Sequence, residues 1–305
     1  MLRVASGITA PMITLSLALL LAQAALSGAR LSKMVALLDH HLPLSAAFRV
    51  TLESCFFNQA FISFLGGDAL RIWRVRQSGL PLADATGAVA LDRLTGVAIN
   101  HFTLILALPL LLSQLQAGTI RTSILVIAAG GTAALAGLLF FGYLLGRVGL
   151  ADSFPHAFRN RRVVNFALEI ATVSRHMFGR GRSRGVDVFW ICVITLLIAG
   201  VNGLVFFVIL HSWGIDTATA TACALLVPAV MEIALLPISI AGWGLREGAA
   251  VLAFGALQLD SHVALAASIL FGFLGLAVSL IGGVLWILDR LIDPKRVLQD
   301  ATQPE

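Results

Sequence analysis

The sequence predicts an all-α protein that crosses a membrane about eight times, and three observations point to this class. Hydrophobic residues make up 58% of the 305 residues and charged residues only 12%, whereas soluble domains carry about 25% charged residues. The mean hydropathy is +0.93. The apolar runs are continuous over about 20 residues, the length that a helix needs to cross a bilayer, and they lack the alternating polarity of membrane β-strands.

Seven apolar runs are long enough to cross a membrane as helices. They occupy residues 8–26, 48–66, 95–113, 122–145, 187–210, 217–237 and 263–288. A further run, 247–259, would form only about 20 Å of helix at about 1.5 Å per residue, against a hydrocarbon core of about 30 Å. We interpret it as the second half of an element that is broken at "PISIAGWGLRE", residues 237–247.

The distribution of Lys and Arg predicts the orientation. With eight crossings and a cytoplasmic N-terminus, all of these residues fall on the cytoplasmic side except Arg30, Lys33, Arg49 and Arg121. Positive residues are enriched in cytoplasmic loops, so both termini are expected in the cytoplasm. If 247–259 did not cross, the basic C-terminal tail would lie outside and break this rule.

A short internal similarity predicts two related halves. The segment "FISFLGGDALR" (61–71) aligns with "PISIAGWGLR" (237–246), and each follows an apolar run that carries an acidic residue, Glu53 or Glu232. Repeated transporter folds place corresponding Gly- or Pro-interrupted segments around one site near the middle of the membrane. The alternative is a chance similarity in a sequence of low diversity. The single domain and its two halves then cover residues 1–305, about 1–150 and 185–292.

The residues around the first break could handle a charged ligand. Gly66 and Gly67 let the backbone bend or approach a ligand closely, and irregular backbone survives in a membrane only inside protein or beside a wet cavity. Asp68 and Arg71 lie three residues apart, so in a helix they share a face and can pair. The alternative is a helix end with an anchoring arginine at the cytoplasmic rim.

Two further acid–base pairs are adjacent in the sequence. They are Asp92 with Arg93, and Arg246 with Glu247 beside two glycines. An ionisable residue at the centre of a membrane helix costs on the order of 2.5–3.5 kcal/mol. Both acidic residues of the preceding apolar runs are therefore expected to face a cavity or a partner, and the alternative for each is a protonated or hydrogen-bonded packing residue.

The sequence holds no catalytic or metal-binding pattern. The three cysteines lie in apolar runs without a CxxC spacing, and the seven histidines show no HExxH spacing. Asn100 and His101 begin a span and are interpreted as interfacial polar residues, and Asn202 as a hydrogen-bonding contact between helices. We therefore expect neither an enzyme activity nor a metal or cofactor. The net charge of +5 is attributed to cytoplasmic loops rather than to a nucleic-acid partner.

Three segments together resemble one membrane-protein family. "FFNQAFISFLGGDALRIWRV", "ALDRL" and "LPISIAGWGLREGAAV" are similar to the lysylphosphatidylglycerol synthase transmembrane family, the flippase-like domain also called UPF0104. One departure is that Phe61-Ile62-Ser63 stands where many relatives have a proline. The residues that match the family pattern are Asn58, Gly66, Gly67, Asp68, Arg71, Asp92, Arg93, Pro237, Ser239, Gly242, Gly244, Arg246 and Glu247.

The resemblance implies a lipid-translocating domain of the bacterial inner membrane, without the cytoplasmic aminoacyl-transferring domain of the synthase. On this interpretation Arg71, Arg93 and Arg246 hold an anionic, phosphate-bearing lipid head group, because arginine suits bidentate phosphate contacts. The neighbouring acids, Asp68, Asp92 and Glu247, orient those arginines or contact a cationic part of the head group. The four glycines of the motifs let backbone amides approach it, and Glu232 belongs to the same site. The alternatives are a membrane transferase that acts on a polyprenyl-phosphate or glycolipid, and a scaffold for a neighbouring glycosyltransferase.

Overall fold

The computed structural model describes residues 8–60, 65–114, 119–148, 182–235 and 239–292. These ranges contain nine α-helices. In chain order they are α1 (Ala10–Leu37), α2 (Leu44–Ala60), α3 (Leu65–Gln77), α4 (Leu82–Gln114), α5 (Thr119–Val148), α6 (Arg182–Ser212), α7 (Ala220–Ala234), α8 (Leu245–Gly255) and α9 (Ser261–Ile292).

Two pairs of short helices, α2–α3 and α7–α8, interrupt the series of long helices. α1, α4, α6 and α9 are long and apolar enough to cross a bilayer, and α5 has 30 residues. α1 begins where Thr9 accepts a hydrogen bond from the Met12 amide, with a proline in the first turn that supplies a helical φ and lacks an amide needing a partner. The prediction of an all-α polytopic membrane protein is confirmed.

α2 and α3 form an antiparallel hairpin. The Gly67 amide donates to Asn58 Oδ1 at 3.1 Å, and Arg71 Nε donates to Ser54 Oγ at 3.1 Å. Later residues of α3 therefore contact earlier residues of α2, as in an antiparallel pair. A Cβ on Gly67 would collide with the Asn58 side chain and the Ser54 carbonyl, which shows how closely the helices approach. The predicted crossing at 48–66 is therefore wrong, because the helix ends at Ala60 and the chain returns.

α7 and α8 form a second hairpin. Its turn includes left-handed backbone at Ala241, Gly242 and Gly244, with φ of 51°, 76° and 84°. Phe254, near the end of α8, stacks on Phe206 in the last third of α6, with ring centroids 5.8 Å apart. α8 therefore returns to the end of the bundle at which α7 begins. The predicted crossings at 217–237 and 247–259 are thus two halves of one hairpin.

Ion pairs show which helix ends lie together. Lys33 at the end of α1 contacts Asp187 at the start of α6 at 2.9 Å. His40, after α1, contacts Asp84 at the start of α4. Near the end of α9, Asp289 contacts Arg49 of α2 and Arg74 of α3. We call this end of the bundle the basic end.

The basic end fixes the relative positions of the first and last helices. α1 has 28 residues, or about 42 Å, so its first residue, Ala10, lies at the opposite end from the end of α9. The expectation that both termini lie on one side is therefore not met by the described helices. The reason is that neither hairpin contributes a net crossing, whereas the sequence count gave the first hairpin one crossing and the second two.

The hydrophobic core has two parts. The larger cluster surrounds Phe206, Leu226 and Phe254, and the smaller lies among Met34, Leu42 and their neighbours near the basic end. Between these two clusters, polar side chains converge from several helices on a central cavity.

Candidate functional site

A cavity of about 370 Å³ lies at the centre of the bundle, between the tips of the two hairpins and helices α1, α4, α6 and α9. Its lining includes four arginines, Arg30, Arg71, Arg93 and Arg246, which come from α1, α3, α4 and α8. Asn58 of the first hairpin and Gly242 of the second both border it. Residues from the two similar segments therefore meet at one cavity.

Asp92 is held between two of these arginines. Its carboxylate accepts from Arg30 Nε at 2.6 Å and Nη2 at 3.1 Å, and from Arg71 Nη1 at 2.9 Å. Asp92 is completely buried, and Arg30 and Arg71 expose 8% and 6% of their surface. Two guanidinium groups thus share one carboxylate, which leaves this buried trio with one positive charge in excess.

Asp68 pairs with Arg93 instead of with Arg71. Arg93 Nε and Nη2 donate to the Asp68 carboxylate at 2.7–2.9 Å. The expected pairs, Asp68 with Arg71 and Asp92 with Arg93, are both replaced by contacts between α3 and α4. Adjacent residues do not face each other on a helix, so Asp92 and Arg93 each find a partner across the interface.

The third pair, Arg246 with Glu247, is present as expected. Glu247 Oε1 accepts from Arg246 Nη2 at 2.6 Å, and the other carboxylate oxygen accepts from the Gly244 amide at the start of α8. The Arg246 guanidinium lies 4.8 Å from the centre of the Trp243 ring and 5.7 Å from that of Phe271. These ring contacts hold it at the cavity wall by cation–π attraction.

The remaining candidates are distributed around this site. Gly66 and Gly67 lie at the start of α3, where Gly67 is held by Asn58. The buried Ser239 hydroxyl has no hydrogen-bond partner among the described residues, and Pro237 lies outside them. Seven of the predicted site residues that the structure describes are not part of the cavity lining, and among them Glu232 faces a partner, His101, at 2.8 Å. The seven are Gly66, Gly67, Asp68, Glu232, Ser239, Gly244 and Glu247. His101 is 4% exposed, so its interpretation as an interfacial residue is wrong.

Glu53 faces a partner rather than the cavity. It is completely buried and accepts from Arg74 Nε at 2.8 Å and Nη2 at 3.0 Å, and from Arg49 Nε at 3.2 Å. Together with Asp289, these residues join α2 and α3 to the end of α9. This cluster lies at the basic end, apart from the cavity.

Sequence reasoning missed Arg30. We counted it as a charge beyond the first span, because the apolar run appeared to end near residue 26. The helical spacing of Leu31, Met34 and Val35, all completely buried, shows that α1 continues inside the protein to Leu37. Extending that periodicity would have placed Arg30 within the membrane. Thr195 and Asn202 of α6 also line the cavity.

The described residues contain no group of three or more His, Cys, Asp or Glu side chains placed to hold a metal ion. Cys55, Cys192 and Cys223 are free thiols. The cavity lining is instead rich in guanidinium groups, and these pair with the carboxylates of Asp92, Asp68 and Glu247.

Comparison with known proteins confirms the family suggested by the motifs. The family model described as "Lysylphosphatidylglycerol synthase TM region" matches residues 2–283. No curated protein and no solved structure matches the chain. The match spans both hairpins and every helix that lines the cavity. The chain therefore belongs to the lysylphosphatidylglycerol synthase TM region family.

Proposed function

We propose that this protein binds an amphipathic lipid with an anionic, phosphate-bearing head group and moves it across the membrane. The observation that carries this proposal is the central cavity, which receives arginines from both hairpins in a bundle built to cross a bilayer. Membership of a family of lipid-synthase membrane regions supports a role in lipid handling.

The charge of the cavity favours an anion. Arg30 and Arg71 share only Asp92, whereas Arg93 and Arg246 each have a carboxylate partner. An excess charge at the centre of a membrane helix costs on the order of 2.5–3.5 kcal/mol. A phosphate group compensates that charge, and the planar guanidinium forks match its oxygens.

The order of the helices favours movement rather than binding alone. A long helix, a hairpin and a long helix occur as α1 to α4 and again as α6 to α9, and the hairpins enter from opposite ends. We infer that the halves, about 1–150 and 185–292, are inverted repeats, the arrangement by which many transporters expose a central site to each side in turn. The hairpin tips then form the two walls between which the head group passes.

The basic end is assigned to the cytoplasm. Lys33, Arg49 and Arg74 lie there, and α6, which follows the segment 149–181 with its five arginines, begins at this end. Cytoplasmic segments are enriched in such residues. The C-terminal tail then follows α9 into the cytoplasm of a bacterial inner membrane, and α1 starts on the opposite side.

The test is lipid movement in sealed vesicles that contain purified protein. Fluorescent phosphatidylglycerol in the inner leaflet should become accessible to an external quencher much faster than in protein-free vesicles. Arg71→Ala and Arg30→Ala should remove most of this acceleration. Arg76→Ala is the matched control, because Arg76 is exposed on the same helix as Arg71 and lies outside the cavity. Equal rates with and without wild-type protein would refute the proposal.

A further inference from the structure

A second buried cluster lies beside the cavity and has no role in holding the head group. His101 of α4 contacts Glu232 of the second hairpin through Nδ1 and Oε1, 2.8 Å apart, and its Nε2 lies 3.0 Å from Thr132 Oγ1 of α5. The side chains of His101 and Glu232 expose only 5% and 16% of their surface. Two titratable groups therefore join the hairpin to two long helices inside the membrane.

The heavy-atom distances fit a form of this cluster that holds an extra proton. Thr132 Oγ1 lies 2.8 Å from the Ala128 carbonyl oxygen, and when its hydroxyl donates there, its contact with His101 Nε2 requires a proton on that nitrogen. A second proton then lies between His101 Nδ1 and Glu232 Oε1, because two lone pairs do not approach to 2.8 Å. In this arrangement the pair holds one proton more than a neutral histidine and a carboxylate, and it carries no net charge.

Loss of that proton would weaken the connection. Either the Glu232 carboxylate faces the Nδ1 lone pair, or the remaining proton moves to Nδ1 and the Thr132 hydroxyl gives up the Ala128 carbonyl to donate to Nε2. In both cases the pair carries a buried negative charge, which is costly in a medium of low dielectric constant. Glu232 Oε2 already has no hydrogen-bond partner among the described residues, so the strength of the link between the hairpin and α4 depends on one bound proton.

Other charged groups on the elements that pack against the pair are engaged in ion pairs or lie far along their helices. Those of α8, and most of those on α1, α3 and α4, belong to the ion pairs of the cavity, whereas Asp84 at the start of α4 pairs with His40. α7 adds only the thiol of Cys223, the described part of α5 offers Arg121, eleven residues before Thr132, and the described part of α6 offers groups near its two ends. These groups are Arg30, Asp68, Arg71, Asp84, Asp92, Arg93, Arg246, Glu247, Cys223, Arg121, Asp187 and His211.

The cluster is placed to affect the cavity. Asn100 and Met231, the sequence neighbours of His101 and Glu232, both line the cavity. Two residues beyond Glu232, Ala234 packs against Gly242 in the hairpin turn. A change in the link therefore acts directly on the wall that carries Gly242 and Arg246.

We infer that the His101–Glu232 pair is a proton-binding site that couples proton movement to movement of the α7–α8 hairpin. The coupling to lipid transport rests on the proposed function, whereas proton-dependent hairpin movement does not. Because coupling between two ligands is reciprocal, a proton gradient becomes a source of energy for lipid movement.

The first experiment measures lipid distribution in the vesicles described above. If one proton moves with each lipid, a gradient of about one pH unit shifts the steady-state ratio of lipid between leaflets toward about tenfold. A protonophore should abolish the shift. Glu232→Gln and His101→Gln should lose the dependence on the gradient but retain lipid exchange at equal pH. Asp84→Asn, which removes the other His–carboxylate contact, His40–Asp84, should leave the dependence unchanged.

The second experiment does not depend on transport. In a background without the native cysteines, spin labels at Leu106 of α4 and at the exposed Ile240 of the hairpin turn report their separation. The distance distribution should differ between about pH 5.5 and about pH 8.5, a range in which histidine charge changes. Glu232→Gln should abolish that difference.

The outcomes separate the two proposals. If lipid exchange is independent of the proton gradient and the spin-label distances do not change with pH, the proton site is refuted and lipid transport is not. Absent exchange with a pH-dependent distance refutes lipid transport but supports the site. A response to the gradient that survives in both glutamine variants also overturns the proton site.

Discussion

Asp92→Asn should destabilise the protein more than any substitution of its arginine partners. Asp92 is completely buried and supplies the carboxylate for Arg30 and Arg71. Its neutralisation leaves two buried guanidinium groups facing each other, and removal of one partner from a buried ion pair costs about 3–5 kcal/mol. By contrast, Arg71→Ala leaves Asp92 bound to Arg30 through two hydrogen bonds. It loses only bonds worth about 1.5–3 kcal/mol.

These free energies convert to measurable melting temperatures. For chains of 150–250 residues, 1 kcal/mol shifts the melting temperature by roughly 2–4 °C. Asp92→Asn should therefore lower it by roughly 6–20 °C, and Arg71→Ala by roughly half as much, in thermal unfolding of the purified protein in detergent. Short-chain phosphatidylglycerol should raise the melting temperature of Asp92→Asn by more than it raises that of the wild type. The reason is that the substitution increases the excess positive charge of the trio from one to two. Phosphatidylcholine, with no net charge, is the control lipid.

Two results would refute this reasoning. A melting temperature for Asp92→Asn within a few degrees of wild type would mean that the trio is not buried as described. An equal loss in Arg71→Ala would mean that packing, rather than the shared carboxylate, dominates the energy of the site.

Three other predictions follow from the hairpins. Gly67→Ala should disrupt the first hairpin and reduce the yield of folded protein, because the new Cβ would collide with Asn58 and the Ser54 carbonyl. Gly130→Ala, at a position with open space, is the control and should behave as wild type. Equal yields of the two variants would contradict the close approach of α2 and α3. A cysteine at position 8 should react with an impermeant thiol reagent in intact cells, whereas cysteines at 180–184 and near 300 should not; labelling of the tail from outside would reverse the orientation. Gln59 and Ala241 line the cavity from opposite hairpins, so cysteines at these two positions should be joined by a thiol linker of about 10 Å, the length of about three extended residues. Cysteines at Gln59 and Gly130 are the control pair and should not be joined. Efficient linking of the control pair alone would disprove the convergence of the hairpins.

Hydropathy predicted the helices but not how the chain connects them. A continuous apolar run shows that a segment is solvated by lipid or protein, and it does not show whether the segment reaches the other side. α2 and α7 have 17 and 15 residues, close to the lower limit for a crossing. The glycines at 66 and 67, at the start of α3, and those at 242 and 244, in the turn of the second hairpin, carried the information that these elements are broken. The count of eight crossings was wrong for the described helices, because each hairpin returns the chain to the same side, and the orientation relative to the cytoplasm stays a prediction.

The site was predicted as a set of residues but not as a set of pairs. The motif identified Asp68, Arg71, Asp92 and Arg93, and each is found in an ion pair near the cavity. Which acid meets which base depends on the rotation of α3 against α4, a tertiary property that sequence spacing does not contain. Arg30 was missed because it lies beyond the end of the first apolar run, and its partner Asp92, 62 positions away, gave no local signal.

The two hairpins are held in place by different chemistry, and this difference indicates which of them moves. The first is fastened at the basic end by Arg49 and Arg74, which hold Glu53 and Asp289. Arginine keeps its charge at every physiological pH. The second hairpin packs in the larger hydrophobic cluster and contacts α4 through His101 and Glu232, the pair whose contact we infer to depend on a bound proton. Loss of that proton would weaken this contact while the first hairpin keeps its arginine pairs, so Arg246 would shift relative to Arg71. The distance between these two guanidinium groups, rather than the presence of either one, would then decide whether a head group is held or released.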